Sequence, residues 1–337
     1  MISTATDSPL DSGRRGRALA CAVLALTFFG IAPVMLRELA EYRNGYLDVW
    51  TVNASRYSIS ALFWLPFVVM LSCRRPAGMA PVAAADGGPA PRRASVWLCA
   101  LAPWSVNIVA QVAWAAAPYF LTAPVIGFSS RLSFLFTIVF GFLFIREERA
   151  LLRNAYFWAG ALACLLGVGA MFGRDIARMD RMSVIGFGLM LTSGCGYGAY
   201  AVCVRRFMSG FSTRLSYGVM SLYTAASLLV LMLALGNYGA LADAGARNWV
   251  LMGGSSLLGL AFGHVLYYKA IHGLGAVIAS GMLMAMPFVT LAVAWLFLGE
   301  GMTPLQFLGG AGVVVGGGLL VKAQSVRALT GLAAEEG

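Results

Sequence analysis

Charge is scarce in this sequence: Asp, Glu, Lys and Arg together make up 11% of its 337 residues, against about 25% in soluble domains. Acidic residues are scarcest, at 14 in all, and none lies inside an apolar run. There are only two histidines and six cysteines, Cys21, Cys73, Cys99, Cys164, Cys195 and Cys203. No CxxC pair occurs among the cysteines, so neither a zinc site nor a disulfide framework is expected. HExxH, Gly-x-Ser-x-Gly and the P-loop pattern are also missing, and with them the sequence signs of a zinc hydrolase, a serine hydrolase and an ATPase. No polar stretch is long enough to form a separate soluble domain of ordinary size.

What the chain has instead is apolar length. Hydrophobic residues reach 60% and the mean hydropathy is +0.79. A helix needs roughly 20 apolar residues to cross the hydrocarbon core. Runs of that length fall at about 18–37, 54–73, 96–117, 120–145 and 154–173, then at 183–204, 215–236, 249–270, 276–299 and 304–322. The fold class expected is therefore an all-α integral membrane protein with ten transmembrane helices. Arg14, Arg15 and Arg17 before the first run resemble the start of a signal peptide, but the run is a full span and nine more follow, so it reads as the first helix. Residues 74–95, rich in Pro, Ala and Gly, read as a flexible connection. Pro33, Pro66, Pro103, Pro124 and Pro287 fall inside spans, where neighbouring helices can satisfy the freed carbonyls.

The net charge of +10 does not indicate a nucleic-acid partner, because the basic residues lie between spans and form no aromatic-studded basic face. They report topology. With the N-terminus inside, sixteen fall in inside segments, among them Arg74, Arg75, Arg92, Arg93, Arg146, Arg149, Arg153, Arg205, Arg206 and Arg214. Six fall outside: Arg37, Arg43, Arg174, Arg178, Arg181 and Arg247. The imbalance puts both termini in the cytoplasm of a multi-pass protein of the cell membrane, the inner membrane if the source is Gram-negative.

The fourth and ninth runs are alike at an offset of 153 residues. LSFLFTIVFGFLFIRE ends at Glu147 and AMPFVTLAVAWLFLGE at Glu300. The same offset pairs Ala117 with Ala270, Leu121 with Leu274, Thr137 with Thr290 and Phe144 with Phe297. Five spans per half is an odd number, so the second half enters the membrane inverted. Residues 18–173 and 183–322 thus read as two inverted five-helix repeats, between tails at 1–17 and 323–337. Inverted repeats are a recurring way to build a transporter, with the site where the repeats meet.

Several of these residues resemble the EamA-like ten-helix branch of the drug/metabolite transporter superfamily. The resemblance rests on Tyr267-Tyr268-Lys269-Ala270, Pro287, Leu298-Gly299-Glu300, Thr303, Gln306 and the glycines from Gly309 to Gly318. The first half echoes it through Ala117 and residues 142–147, and Arg56-Tyr57 is similar to the family's Arg-aromatic pair. Phe134 stands where the family commonly has a proline matched by Pro287, and Arg131 is unusual. The resemblance implies a central cavity between the halves, opened alternately to each side.

Arg131 is the residue most suggestive of chemistry, since it falls near the middle of its span with no acid in any span to pair with it. An arginine there costs about 2.5–3.5 kcal/mol on insertion scales and must face protein or water. It either meets an anionic substrate group in the cavity or caps carbonyls near Pro124 or in a neighbouring helix. Arg56, near the end of its span, is expected to snorkel to the interface. Asn107 and Gln111, flanked by Trp104 and Trp114, share a stripe on the third helix and suit either a cavity wall or interhelical hydrogen bonds. Tyr197 and Tyr200 share a face of the sixth helix, as His264 and Tyr267 do on the eighth. Small-residue pairs such as Gly169/Gly173 and Gly312/Gly316 are expected to pack helices closely. The function expected is secondary transport of a small metabolite by alternating access, as an exporter, with a preference for anionic or zwitterionic substrates. The alternative is a membrane-embedded enzyme acting on a lipid-linked substrate. The partners expected are the small-molecule substrate, the bilayer and, as an open alternative, a second copy of the chain. No cofactor or metal is called for.

Overall fold

The computed structural model describes residues 9–40, 47–73, 95–144, 153–178, 180–208, 211–274 and 276–335. Glu147 and most of the 74–95 connection lie outside these. The first half contributes α1 (Pro9–Ala40), α2 (Val49–Cys73), α3 (Val96–Cys99), α4 (Leu101–Ala116), α5 (Ala123–Ser129), α6 (Leu132–Phe144) and α7 (Ala155–Ala177). The second contributes α8 (Arg181–Phe207), α9 (Thr213–Leu235), α10 (Ala246–Ser256), α11 (Gly263–Leu274), α12 (Ala276–Leu283), α13 (Met286–Leu298) and α14 (Pro304–Glu335). The described residues contain no strand.

Nine of the helical spans among the described residues are long and apolar enough to cross a membrane. Residues 96–116 are not among the nine, because Ala100 separates α3 from α4. Helical hydrogen bonds run through the break, from Ala100 N to Val96 O at 3.0 Å and from Trp104 N to Ala100 O at 2.9 Å. Two boundaries differ from the sequence reading. α1 begins at Pro9 and α14 runs on to Glu335, through residues expected to be tails. Proline suits the first turn of a helix, and the Ala, Leu, Gln and Arg of 323–335 are good helix formers.

Apolar and polar residues are arranged inside out relative to a soluble protein. Leu62, Leu166, Val230, Trp295, Phe297 and Leu308 are exposed, while Thr51, Asn53, Arg56, Gln111, Thr224, Ser255 and Thr290 are buried. An apolar belt of this extent is a lipid-facing surface, and the polar groups inside bond one helix to another.

Helix contacts are reciprocal between the halves. α1 packs on α11 as α8 packs on α4, and α1 on α13 as α8 on α6, while α2 pairs with α9 and α7 with α14. Exchanging the halves maps this set of contacts onto itself. The fourth span of each half is also broken in the middle, at Ser130–Arg131 and at Met284–Ala285, positions that the 153-residue offset brings within one residue of each other. The proline missing from the first half does not prevent its break. There, serine hydroxyls compete for backbone carbonyls, with Ser130 Oγ donating to Ile126 O at 2.7 Å and Ser133 Oγ to Ser130 O at 2.8 Å.

One face of the bundle is closed by polar bonds. We call it the far face, as opposed to the near face where α1 begins. Gly299 ends α13 with φ +68°, a left-handed conformation that glycine adopts without strain, and Glu300 N bonds back to Ala294 O at 3.2 Å. The turn delivers the Glu300 carboxylate to Arg37 Nε at 2.6 Å and to the Ala123 N–H at 2.8 Å. Arg37 Nη1 also donates to Pro118 O at 2.6 Å, and Tyr119 Oη to Leu47 O at 2.7 Å. Arg247 pairs with Glu38 on the same face. Asp48 caps α2 by accepting from Trp50 N at 2.9 Å and Thr51 N at 3.0 Å, and joins the end of α9 through Asn237 N at 2.8 Å. Burial acts to raise the Asp48 pKa, but the donors from Asn237, Thr51 and Trp50 outweigh it and hold the carboxyl below its ordinary value.

α7 and α14 touch backbone to backbone. A Cβ on Gly167 would meet Gly309 O at 2.5 Å, and one on Gly160 would meet Gly316 O at 2.8 Å. The contact thus uses glycines seven apart on each helix, and the expected Gly169 and Gly173 point into open space. Gly167→Ala should force the helices apart and cost about 1–3 kcal/mol, read as a lower melting temperature in detergent. Gly169→Ala should be neutral or mildly stabilising. Equal effects at the two positions would remove the close approach as the cause.

Asp48→Ala should cost about 1–2 kcal/mol, the usual cost of losing an N-cap. Because the folded-state pKa is depressed, the charge stabilises above the ordinary carboxylate pKa of about 4 and ceases to do so as pH falls through the folded value. The melting-temperature gap between the native chain and Asp48→Asn should therefore be widest at neutral pH and close in acid.

Candidate functional site

A cavity of about 410 Å³ lies between the halves, within the range typical of small-molecule sites. Its wall draws on α1, α2, α4, the break between α5 and α6, α8, α9, the segment from α10 to α11, and the break between α12 and α13. Arg56 lies seven residues into α2 from the far face, about 10 Å along the axis. Tyr217, also in the wall, is only four residues from the start of α9 on the near side. The cavity therefore runs from mid-bundle toward the near face, beneath the bonded far face.

Irregular backbone forms much of the wall. Between α10 and α11 the chain makes a π-helical turn, Leu257–Phe262, which leaves carbonyls free for side chains. Leu260 O accepts from Trp64 Nε1 at 3.3 Å and Tyr217 Oη at 3.1 Å, and Gly259 O lies 3.1 Å from His264 Nδ1. At the other breaks, Arg131 reaches from the first half to the second. Its Nη1 donates to Leu283 O at 3.2 Å and its Nη2 lies 3.4 Å from Met286 Sδ, while Nε has no partner. Arg131 thus both lines the cavity and caps a carbonyl of a neighbouring helix.

Arg56 differs from the sequence expectation. It is 0% exposed, so it does not snorkel to the interface. Its Nε donates to Ser255 Oγ at 2.8 Å and its Nη2 to Ser255 O at 3.4 Å, and its backbone carbonyl accepts from Ser256 Oγ. Nη1 is buried without a partner. Hydropathy places Arg56 near the end of its span, but the last turn of α10, just before the π-helical turn, supplies through Ser255 the acceptors that make burial tolerable. A long side chain near a span end gave no sequence sign of this.

The other candidates are placed as follows. Asn107, Gln111, Trp114, Tyr197, Tyr200, His264 and Tyr267 all line the cavity. Asn107 Nδ2 also donates to Thr224 Oγ1 at 3.1 Å, and Gln111 Nε2 to Asn53 Oδ1 at 3.3 Å, so both readings of this pair hold at once. Tyr197 donates to Gln111 Oε1, and Tyr267 bonds Ser280 at 2.9 Å. Trp114 lies between the two arginines: Arg56 Cζ is 6.0 Å from its ring, and its indole N–H donates to Ser130 Oγ at 3.4 Å, beside Arg131. Trp104 is not part of the wall. Its indole donates to Ser227 Oγ at 3.0 Å, and its ring packs against Tyr223. Its packing against α9, and not its depth, keeps it out of the wall.

Among the described residues of the wall, Arg56 and Arg131 are the permanent charges, and both are cationic. Tyr57, Tyr217, Tyr268 and Phe29 belong to the wall as well and were not singled out by spacing. Two of them could have been suspected, Tyr57 beside Arg56 and Tyr268 beside Tyr267.

The residues of the second-half resemblance that lie between the ninth and tenth spans shape helix ends. Thr303 and Gln306 form a reciprocal capping box at the start of α14, with Thr303 N to Gln306 Oε1 at 3.1 Å and Gln306 N to Thr303 Oγ1 at 3.3 Å. Gly299 and Glu300 form the far-face turn described above.

Comparison with known proteins agrees with this architecture. Residues 184–322 match the model of the EamA-like transporter family. No curated protein matches the chain. Sixteen chains of solved structure do. One, described only as "Crystal structure of protein", is 17% identical and aligns with a TM-score of 0.56 over 91% of this chain and 97% of its own. At that identity the likeness is one of fold, and it extends over both halves. Residues 184–322 thus carry the pattern of the EamA-like transporter family, on a chain whose described residues include nine helical spans long and apolar enough to cross a membrane.

Proposed function

We propose that the chain moves a small organic anion or zwitterion across the cell membrane by alternating access, and that it acts as an exporter. The observation that carries this reading is the pair of arginines in one cavity, each with a guanidinium N–H that has no protein partner. A carboxylate suits such donors, since charge-assisted bonds to arginine are among the stronger hydrogen bonds in proteins. The excess of basic residues at the near face assigns that face, and both termini, to the cytoplasm. The cavity then faces the cytoplasm, the side from which an exporter loads. Residues 18–173 and 183–322 are the two units that would rock about the site, with the inverted repeat as the basis for two equivalent states. The alternative of a membrane enzyme gains no supporting observation.

The test is transport in proteoliposomes. Counterflow of a panel of radiolabelled organic acids should be measurable for the native chain. It should fall at least tenfold in Arg56→Gln and in Arg131→Gln, with protein still monodisperse in detergent. Normal transport in both variants would overturn the assignment of the site.

A second prediction concerns the far face. Glu300 joins Arg37 to the start of α5, so Glu300→Gln should weaken closure. With Ala32→Cys as a cavity reporter in a background lacking the six native cysteines, an impermeant maleimide added from the far side should label several-fold faster in the Glu300→Gln protein. An unchanged rate would mean that this bond does not hold the face shut.

A further inference from the structure

The cavity is chemically graded along its length. At its deep end Arg56 and Arg131 flank Trp114, as described above. Toward the near face the wall becomes aromatic. Tyr217 stacks on His264 with centroids 4.3 Å apart and planes at 29°, and Phe29 meets His264 edge-on at 5.0 Å. Tyr268 closes on the same histidine at 6.3 Å.

The polar tips of these rings are largely committed to the protein. The Tyr197 hydroxyl is taken by Gln111, that of Tyr217 by Leu260 O and that of Tyr267 by Ser280. His264 Nδ1 is engaged with Gly259 O. What remains for a ligand in this part of the cavity is mainly ring face and ring edge, with the neutral hydroxyls of Tyr200 and Tyr268 and no cationic group. A hydrophilic polyanion such as an aliphatic di- or tricarboxylate would leave its distal charge among groups with few donors to offer, and burying an unpaired charge is costly. A flat apolar body gains stacking and edge contacts there, each worth about 0.5–1.5 kcal/mol beyond area burial.

We infer that the substrate is an aromatic organic acid, with its carboxylate on Arg56 and Arg131 and its ring between Trp114 and the Tyr217–His264 stack. This rests on the organic-anion reading above and narrows it. Cavity volume agrees: about 410 Å³ holds a body of one or two rings. Entry from the near face places the ring nearest the mouth, behind the carboxylate.

The experiment is equilibrium binding to the full chain in lipid nanodiscs, by calorimetry, with 3-phenylpropanoate, butyrate, succinate, citrate and phenethylamine as probes. 3-Phenylpropanoate is expected to bind at least tenfold more tightly than butyrate, succinate or citrate. Tyr217→Ala should reduce that preference to threefold or less, by weakening 3-phenylpropanoate far more than butyrate. Arg56→Lys, which keeps the charge but loses the planar fork, should weaken all the acids together. Equal or tighter binding of succinate or citrate would overturn the aromatic inference while the anion reading stands. Binding of phenethylamine with none of the acids would overturn both. Failure of 3-phenylpropanoate to bind the native chain overturns the inference without recourse to any variant.

Discussion

Inside a bilayer no water is at hand to satisfy a peptide group, so wherever a helix leaves its regular ladder the protein itself has to supply the missing partner. This chain leaves the ladder at three places near mid-bundle, namely the breaks in the two fourth spans and the π-helical turn between α10 and α11. The two breaks tighten into three-residue bonds, Phe134 N to Arg131 O at 3.1 Å and Phe288 N to Ala285 O at 3.1 Å. Leu283 O takes Arg131, and Gly259 and Leu260 take His264, Trp64 and Tyr217. The side chains that repair the backbone are therefore largely the ones that line the cavity. Site and scaffold share residues here because irregular backbone at membrane depth is tolerated only where protein or a cavity surrounds it.

This sharing explains which parts of the molecule could be read from sequence. Spans are legible because the need for roughly 20 apolar residues acts on each helix separately. The repeat is legible at the fourth and ninth spans, and the offset found there brings the two breaks within one residue of each other. Arg131 stands out because a charge deep in a span is expensive anywhere. Arg56 was misread for the complementary reason. Its burial depends on Ser255, 199 residues away in sequence, a pairing that leaves no mark in hydropathy. Trp104 shows the limit of stripe arguments: sharing a helix face with Asn107 and Gln111 does not reveal that Ser227 and Tyr223 of α9 engage it away from the cavity. The glycines make the same point. Gly169 and Gly173 have the spacing of a packing motif, yet they face outward, while Gly160 and Gly167 make the contact with α14. Spacing identifies a face but not the neighbour it meets.

Of the motif residues of the second half, Tyr267 and Tyr268 line the cavity, while those between the ninth and tenth spans lie away from it. Gly299, Thr303 and Gln306 stop one helix and start the next. Their consequence is geometric: the turn at Gly299 aims Glu300 back at Arg37 and at the first N–H of α5, joining the halves on the far face. The residues that shape these helix ends are thus distinct from those that line the cavity.

A transporter that alternates must hold its closed face firmly enough to exclude leakage and weakly enough to release it. Hydrogen bonds to charged groups contribute about 1.5–3 kcal/mol each, and the far face uses a small number of them, centred on Glu300, Arg247 and Asp48. A ligand contributes to a change of state only through its differential affinity for the two states. Under the proposed function, Arg131 is the route for such a difference. In the present state its guanidinium is spent on Leu283 O, the carbonyl at the break of the ninth span, at a moderate 3.2 Å. A carboxylate arriving in the cavity is the stronger acceptor and competes for the same donor. Loss of Arg131 from Leu283 would leave that carbonyl seeking a partner and free the break to rearrange, so that occupancy of the site and the geometry of the helix carrying Glu300 are connected through a single side chain.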